Sequence, residues 1–322
     1  MIAHYERRTS PLLAVVCMAF AMGLMLLPAL PAQAQNTQIA FDEASNYNNW
    51  QGDPSLNEGS GFQGWTFNAN AGTGSAGRYL GTTAGGSIDP GFGLFSGNDQ
   101  NAFSSAFRKF DAPLKPGDTF SVDIGHTSNI FGEVGLNLLN DGNVVFTLKF
   151  ANGDPEWQLN DGGSDFNIGG QGFEDDTRLT FTFTYEGGNT YSYSFGGASG
   201  DSFTASSDIS SIDQVGFFNE DQGGGENFGI DNLEITEAPV INATQTIGYD
   251  TIQAAINDAN ANDVIEVAAG TYTENVTVGK SVTLQGPSSG TATIDATGGT
   301  GEGIVVTAPG VIVDNFEIQA TA

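Results

Sequence analysis

Residues 178–185, RLTFTFTY, alternate apolar and polar side chains with a period of two. After the turn Glu186-Gly187-Gly188-Asn189, TYSYSF resumes the alternation. Successive side chains of an extended strand point to opposite faces, so Leu179, Phe181, Phe183 and Tyr185 share one face. Tyr191, Tyr193 and Phe195 match them on the next strand, as in an antiparallel hairpin with one buried side. NVVFTLKF (143–150) repeats the signal after the hairpin turn Asn140-Asp141-Gly142, and TFSVDI, QVGFFN and FGIDNLEI add further strands. No segment between Gln35 and Glu237 carries a convincing apolar stripe at helical spacing. About ten short strands over roughly 200 residues predict an antiparallel β-sandwich of jelly-roll type.

The N-terminus follows a different rule. Arg7 and Arg8 precede an apolar run from Leu12 to Leu30 that closes in Ala32-Gln33-Ala34. This is the pattern of a secretory signal peptide cleaved after Ala34, although the run could also cross a bilayer as an uncleaved anchor. Cleavage removes all four Met, Cys17 and His4, which leaves His126 as the one histidine and no thiol. Disulfides, Cys-ligated zinc, a Cys nucleophile and multi-His metal sites are then excluded. A Ser-His-Asp triad could form only around His126, and GHTSNIFGE offers no nucleophile on a sharp turn. With Arg7, Arg8 and Glu6 gone, 9 basic residues become 7 and 38 acidic residues become 37, a net charge of −30. Such a surface repels nucleic acid and anionic membranes, and it suits a salt-rich habitat or bound divalent cations.

Glu237-Ala238-Pro239 marks a boundary, because Pro ends strand pairing and the pattern changes after it. TIQAAINDANAND (251–263) sets Ile252, Ala255, Ile256 and Ala259 at helical spacing. Strand-like runs then recur: VIEV at 264, VTLQ at 282 and IVVT at 304, with a second track in ENVTV at 274 and TIDA at 293. Between the first runs, Gly-Thr-Tyr (270–272) reads as a turn. Recurrence at about this period predicts a solenoid whose turns stack their apolar faces.

TIQAAINDANANDVIEVAAGTYTENVTVGKSVTLQG resembles the N-terminal cap and first coils of right-handed parallel β-helix proteins of the pectin lyase-like group. The resemblance covers about residues 246–322 and implies an all-β chain. In that chain the sandwich precedes a short, truncated right-handed parallel β-helix with one capping helix. The group includes pectin methylesterases, polysaccharide lyases and adhesive surface proteins. Catalytic residues of its enzymes lie on later coils, so none is carried over. GFGLFSGNDQNAFSSAFRKFDAPLKPGDTFSVDI is similar to β-sandwich domains of secreted bacterial proteins, and FGIDNLEI is similar to the last strand of many jelly-roll carbohydrate-binding modules. The expected layout is a signal peptide at 1–34, a sandwich at 35–237, a linker at 238–249 and the incomplete start of a β-helix at 250–322. The unfinished end reads as a truncated chain or as an end that assembles against a partner.

Two kinds of site suggest themselves. The first and last strands of a jelly roll commonly lie side by side, which would bring Asp42 or Glu43 near Asp231. Clustered carboxylates of this sort suit Ca²⁺. NDGGSDFN (160–167) and NEDQGGGEN (219–227) are weaker candidates, since neither follows the calcium-loop pattern. Trp50, Trp65 and Trp157 could stack against sugar rings. The core claims most tryptophans, and Trp157, in GDPEWQLNDGG, is the best candidate for exposure and ligand binding. Asp175-Asp176 reads as solvated charge, because neighbouring strand residues face opposite ways. The expected function is a secreted or cell-surface, non-catalytic protein that binds extracellular polysaccharide or surface glycan, without stable membrane insertion after cleavage. The alternative is a fragment of a polysaccharide lyase or carbohydrate esterase whose catalytic coils lie beyond residue 322.

Overall fold

The computed structural model describes residues 36–50, 57–81, 88–97, 101–126, 132–168, 177–220, 226–297 and 302–319. The expected leader and Asp175-Asp176 lie outside them. The sandwich opens with β1 (Thr37–Asp42), β2 (Thr66–Asn70), β3 (Ser75–Gly81), β4 (Gly91–Gly97) and β5 (Phe103–Lys109). It continues with β6 (Thr119–His126), β7 (Glu133–Asn140), β8 (Asn143–Ala151), β9 (Gln158–Asn160) and β10 (Phe166–Asn167). It closes with β11 (Leu179–Gly187), β12 (Thr190–Phe195), β13 (Ala198–Thr204), β14 (Ile212–Glu220) and β15 (Glu226–Glu237).

The first sheet runs β13-β12-β11-β6-β15-β4-β3, with β1 also paired to β15; the second runs β10-β9-β8-β7-β14-β5-β2. Neighbouring strands are antiparallel in both sheets, for example Phe181 opposite Val122 and Leu136 opposite Leu148. The period-two pattern explains which side is buried. Leu179, Phe181, Phe183 and Tyr185 of β11 point into the core beside Phe120, Val122 and Ile124 of β6. Val134, Leu136 and Leu138 of β7 and Phe146, Leu148 and Phe150 of β8 meet them from the second sheet. Phe146 bridges the layers, with ring centroids 5.8 Å from Phe181, 5.1 Å from Phe183 and 5.6 Å from Tyr191. Thr180, Thr182 and Thr184 turn outward.

The first and last sandwich strands do lie side by side, with Asp42 opposite Leu233. Between them and the second sheet lies a buried charge pair. Arg108 Nη2 sits 2.8 Å from Asp42 Oδ2, and neither side chain is exposed. Tyr47 Oη (3.1 Å) and Trp65 Nε1 (3.0 Å) donate to the same oxygen. Arg108 also donates to Asn57 Oδ1 at 2.5 Å and to the Gln63 carbonyl.

After the sandwich come β16 (Val240–Asn242), β17 (Ile247–Tyr249) and α1 (Ile252–Asp258). Within 238–249, expected as linker, Val240–Asn242 and Ile247–Tyr249 are therefore strands joined by a turn: β16 pairs antiparallel with β17 and with β18 (Val264–Val267). β19 (Gly270–Tyr272), β20 (Val276–Val278), β21 (Thr283–Gln285), β22 (Ala292–Asp295), β23 (Ile304–Val306), β24 (Ile312–Asp314) and β25 (Phe316–Gln319) complete the chain order. They form three small parallel ladders, β18-β21-β24, β19-β22-β25 and β20-β23. Each strand pairs with the one three places later.

This corrects the expected strand tracks. IVV at 304–306 pairs with VTV at 276–278, not with the VTLQ run, and ATID at 292–295 pairs with GTY at 270–272. The Gly-Thr-Tyr segment is a strand because Thr271 and Tyr272 are buried and the Tyr272 hydroxyl reaches the Pro239 and Ala268 carbonyls. A short apolar-polar triplet next to glycine gives too little periodicity to distinguish from a turn.

The helix buries the stripe read from its spacing, with Ile252, Ala255 and Ile256, and Ala259 at its end, all inside. Thr251 Oγ1 accepts from the Ala254 amide at its start, and Glu274 accepts from the Ile252 and Gln253 amides, both at 2.9 Å. At the other end Lys280 Nζ donates to the Asn257 and Ala259 carbonyls. An acid at the start and a cation at the end both oppose the helix dipole. No helix among the described residues is long and apolar enough to cross a membrane.

Two outcomes test this account. Removing one member of a buried ion pair strands the other charge, which costs about 3–5 kcal/mol, whereas replacing both by apolar groups is often near neutral. Asp42→Ala should lower the melting temperature by roughly 6–20 °C, at about 2–4 °C per kcal/mol for a domain this size. Asp42→Leu with Arg108→Met should recover most of that loss; equal losses would show that the pairing is not what matters there.

The second outcome concerns Asp118, which is 3% exposed and accepts from the Lys115 amide at 2.9 Å. Burial pushes its pKa up to about 6 from 3.8. The folded state therefore holds this proton more tightly, and stability falls as pH rises between those values. Asp118→Asn should gain on the wild type by about 2–3 kcal/mol between pH 4 and pH 7, since one pKa unit is about 1.4 kcal/mol. Parallel stability–pH curves for the two proteins would refute this.

Candidate functional site

The outward face of the second sheet collects polar side chains that the strand alternation spares from the core. β7 contributes Glu133 and Asn137, β8 Thr147 and Lys149, β9 Asn160, and β14 Phe218 and Glu220. Register aligns them: Asn137 lies opposite Thr147, which lies opposite Asn160. In the next row Phe218 lies opposite Gly135, and Gly135 opposite Lys149. A Cβ on Gly135 would come within 2.2 Å of the Leu148 carbonyl oxygen and 2.9 Å of the Phe218 ring. Glycine is therefore what lets Phe218 pack across β7.

These residues line a cleft of about 300 Å³. Its side chains are already hydrogen-bonded to one another. Thr147 Oγ1 donates to Asn137 Oδ1 at 2.7 Å, and Asn160 Nδ2 donates to Asp165 Oδ1 at 2.7 Å. The Gly162 amide donates to Asn160 Oδ1 at 2.8 Å, which fixes the amide's orientation. Lys149 Nζ stands 3.2 Å from Asp165 and 3.6 Å from Glu133. Burial works against the Lys149 charge, but hydrogen bonds and ion pairing with Asp165 and Glu133 hold it above the usual ammonium range. The Asn160 hydrogen bond, then Lys149, holds Asp165 below the usual carboxylate range. The cleft thus offers amides, a hydroxyl, a fixed ammonium and carboxylates beside an aromatic ring. That set suits a polyhydroxylated ligand, whose hydroxyls both donate and accept.

The residues singled out from sequence lie elsewhere. Trp157 is fully buried, with ring centroids 5.1 Å from Phe195, 5.8 Å from Phe150 and 6.0 Å from His126. It is core and not a surface platform. The polar residues around it belong to turns, while Trp157 itself is in phase with buried Leu159. Trp50 and Trp65 are also fully buried, edge to face at 5.2 Å. His126 is 2% exposed and stacks on Phe150 at 5.9 Å.

The acids expected to gather around calcium are engaged separately. Asp42 is held by Arg108, exposed Glu43 accepts from Ser45 Oγ at 3.1 Å, and Asp231 Oδ1 accepts from the Ala44 amide at 2.8 Å. The juxtaposition of β1 and β15 is as expected, and the Arg108 guanidinium is paired with Asp42. Among the described residues no group of three or more His, Cys, Asp or Glu could hold a metal ion. NDGGSDFN contributes instead to the cleft, through Asn160 and Asp165. From NEDQGGGEN, Asn219 is buried and bonded to Ser96 and Leu94, and Glu220 lines the cleft. The usable sequence signal for the cleft was the outward phase of NVVFTLKF, which sets Thr147 and Lys149 on one face.

No family model and no curated protein matches the chain. Solved structures similar to it include a protein described as a sialidase, at 13% identity and TM-score 0.47, covering 62% of this chain and 19% of that one. Domain 4 of AbnA, a GH43 extracellular arabinanase from Geobacillus stearothermophilus in complex with arabinotriose, is similar at 14% identity and TM-score 0.41. That match covers 63% of this chain and 93% of that one. Galectin LEC-6 of Caenorhabditis elegans is similar at 17% identity and TM-score 0.29, covering 38% of this chain and 86% of that one. The chain thus spans about a fifth of the sialidase.

If Trp157 is core, Trp157→Ala should cost about 3–5 kcal/mol in denaturant unfolding through the cavity it leaves. A loss below about 1 kcal/mol would return it to the surface.

Proposed function

We propose that the chain is a secreted or cell-surface, non-catalytic glycan-binding protein, and that the cleft on the outward face of the second sheet is its binding site. The observation that supports this best is the fixed row of Asn137, Thr147 and Asn160 on adjacent strands, flanked by Lys149, Asp165 and Phe218. Strands about 4.8 Å apart repeat such groups at a spacing suited to successive ring hydroxyls, and groups already ordered lose little entropy on binding. Secretion is supported by the leader pattern of residues 1–34.

The small parallel ladders support a further reading, that residues 240–322 open a right-handed parallel β-helix of the pectin lyase-like kind. Each strand pairs with its third successor, and Ile265, Leu284, Ile294 and Val276 fill the space between ladders. On this reading α1 covers the first end of the stack. A polysaccharide lyase or carbohydrate esterase is the second functional reading, and it rests on the same ladders.

The test is calorimetric titration of the full chain against neutral oligosaccharides found to bind on a glycan array. Asn137→Ala with Asn160→Ala should weaken binding roughly ten- to a hundredfold, as expected for two lost hydrogen bonds at about 0.5–1.5 kcal/mol each. The melting temperature should stay within a few degrees. Unchanged affinity, or release of reducing ends from the bound glycan, would overturn the reading.

A further inference from the structure

A second cavity lies where the sandwich meets the small ladders. The two parts touch backbone to backbone, where the Gly248 amide donates to the Pro116 carbonyl at 2.6 Å; the neighbouring Gly117 amide is held within the sandwich by the Tyr185 carbonyl, also at 2.6 Å. Gly117 has φ 96°, and a Cβ there would stand 2.5 Å from Gly248 Cα. A Cβ on Gly248 would stand 2.6 Å from that of Ala238. The contact therefore excludes any side chain, and Lys115 pairs with Glu237 at 3.0 Å beside it. This pivot holds the two walls of the cavity at a set separation.

The cavity has a volume of about 800 Å³, within the range of ligand sites. One wall is the outward face of the first sheet, with Thr119, Thr184 and Ser192. The Thr119 and Thr184 hydroxyls stand 2.8 Å apart, so their directions are fixed by each other. The other wall carries Tyr249 from β17 and Asp258 from α1. Tyr249 is half-buried, and its hydroxyl donates to Asp258 Oδ2 at 2.5 Å, which holds the ring in place. An ordered aromatic ring across a gap from ordered hydroxyls gives an apolar surface for a sugar face and partners for its rim.

Charge narrows the ligand. Glu186, Asp250 and Asp258 line the cavity, and among the described residues no Lys, Arg or His does so. Uronates and sulfated sugars would enter against three carboxylates on a chain that is already strongly acidic. We infer that this junction cavity is a second carbohydrate site, separate from the outer-face cleft, and that it takes a neutral glycan chain.

The inference shares the glycan-binding reading, and the experiment separates the two sites. The full chain is titrated with cellohexaose, xylohexaose, mannohexaose and hexagalacturonate, with hydrogen exchange measured on each mixture. One variant carries Thr184→Val and Ser192→Ala, which keep strand propensity. Another carries Tyr249→Phe, which keeps the ring and frees it from Asp258. At least one neutral hexasaccharide should slow exchange in 247–258, and that protection should persist when the outer-face cleft carries Asn137→Ala and Asn160→Ala. The junction variants should weaken this binding step tenfold or more and leave protection in 133–165 intact. Loss of protection only in 133–165 would defeat the cleft reading and leave the junction site standing. Junction variants without effect would overturn the inference, as would protection of 247–258 by hexagalacturonate or by none of the neutral sugars.

Discussion

One buried charge pair ties together parts of the chain that are far apart in sequence. Arg108 comes from β5 in the second sheet, and Asp42 ends β1 in the first, where β1 pairs with β15. Tyr47, Asn57, Gln63 and Trp65 reach the same two groups from the segment between β1 and β2. Two charges without solvent contact are tolerated only when they are paired and hydrogen-bonded, and here the bonds to Asp42 Oδ2 and to the Arg108 Nη atoms come from several segments that have to be in place together. Arg108 also lies 5.1 Å from the Trp65 ring and 5.4 Å from that of Phe62, which gives its planar cation a favourable surface. The pair adds less to net stability than to the choice of one arrangement. It fixes where β1 sits on β15 and how the two sheets close over the tryptophan cluster.

The same pair explains how much of the site could be read beforehand. The adjacency of the first and last sandwich strands was legible, since strand order in such sandwiches is a property of topology. The identity of the counter-ion was not. Asp42 lies on the expected strand, and only the three-dimensional path of β5 shows that an arginine 66 residues away is its partner. Trp157 failed for a related reason. Its neighbours in sequence are turn residues, but a strand phase set by Leu159 carries its ring inward. The outer-face cleft was harder still, because Asn137, Lys149 and Asn160 each look like ordinary solvated strand residues until register aligns them.

In the small ladders, sequence conveyed the helix and the presence of repeats better than the pairings. Ile252, Ala255, Ile256 and Ala259 gave a clear helical stripe. Strands of three or four residues carry almost no period of their own, so two tracks were visible where the structure has three. Gly270-Thr271-Tyr272 was the missing member. The interval between β21 and β24 is also longer than that between β18 and β21, so a constant spacing selects the wrong partner. What fixes the pairings is burial: Ile265 lies beside Leu284 and Tyr272 beside Ile294, which places large side chains above one another in a narrow interior.

The acidity of the chain acts on its two recesses in different ways. In the outer-face cleft Lys149 stands between Glu133 and Asp165, so its carboxylates are partly neutralised and the amides set the local chemistry. In the junction cavity no cation among the described residues offsets Glu186, Asp250 and Asp258, and the groups available to a ligand are acceptors, paired hydroxyls and the Tyr249 ring. At physiological salt the Debye length is about 8 Å, so charges across the molecule are screened while those lining a recess are not. An anionic ligand would therefore meet opposition at the junction itself and not from the chain's net charge. A neutral sugar would avoid that penalty in both recesses, so the two proposed sites can share one class of ligand despite their different side chains.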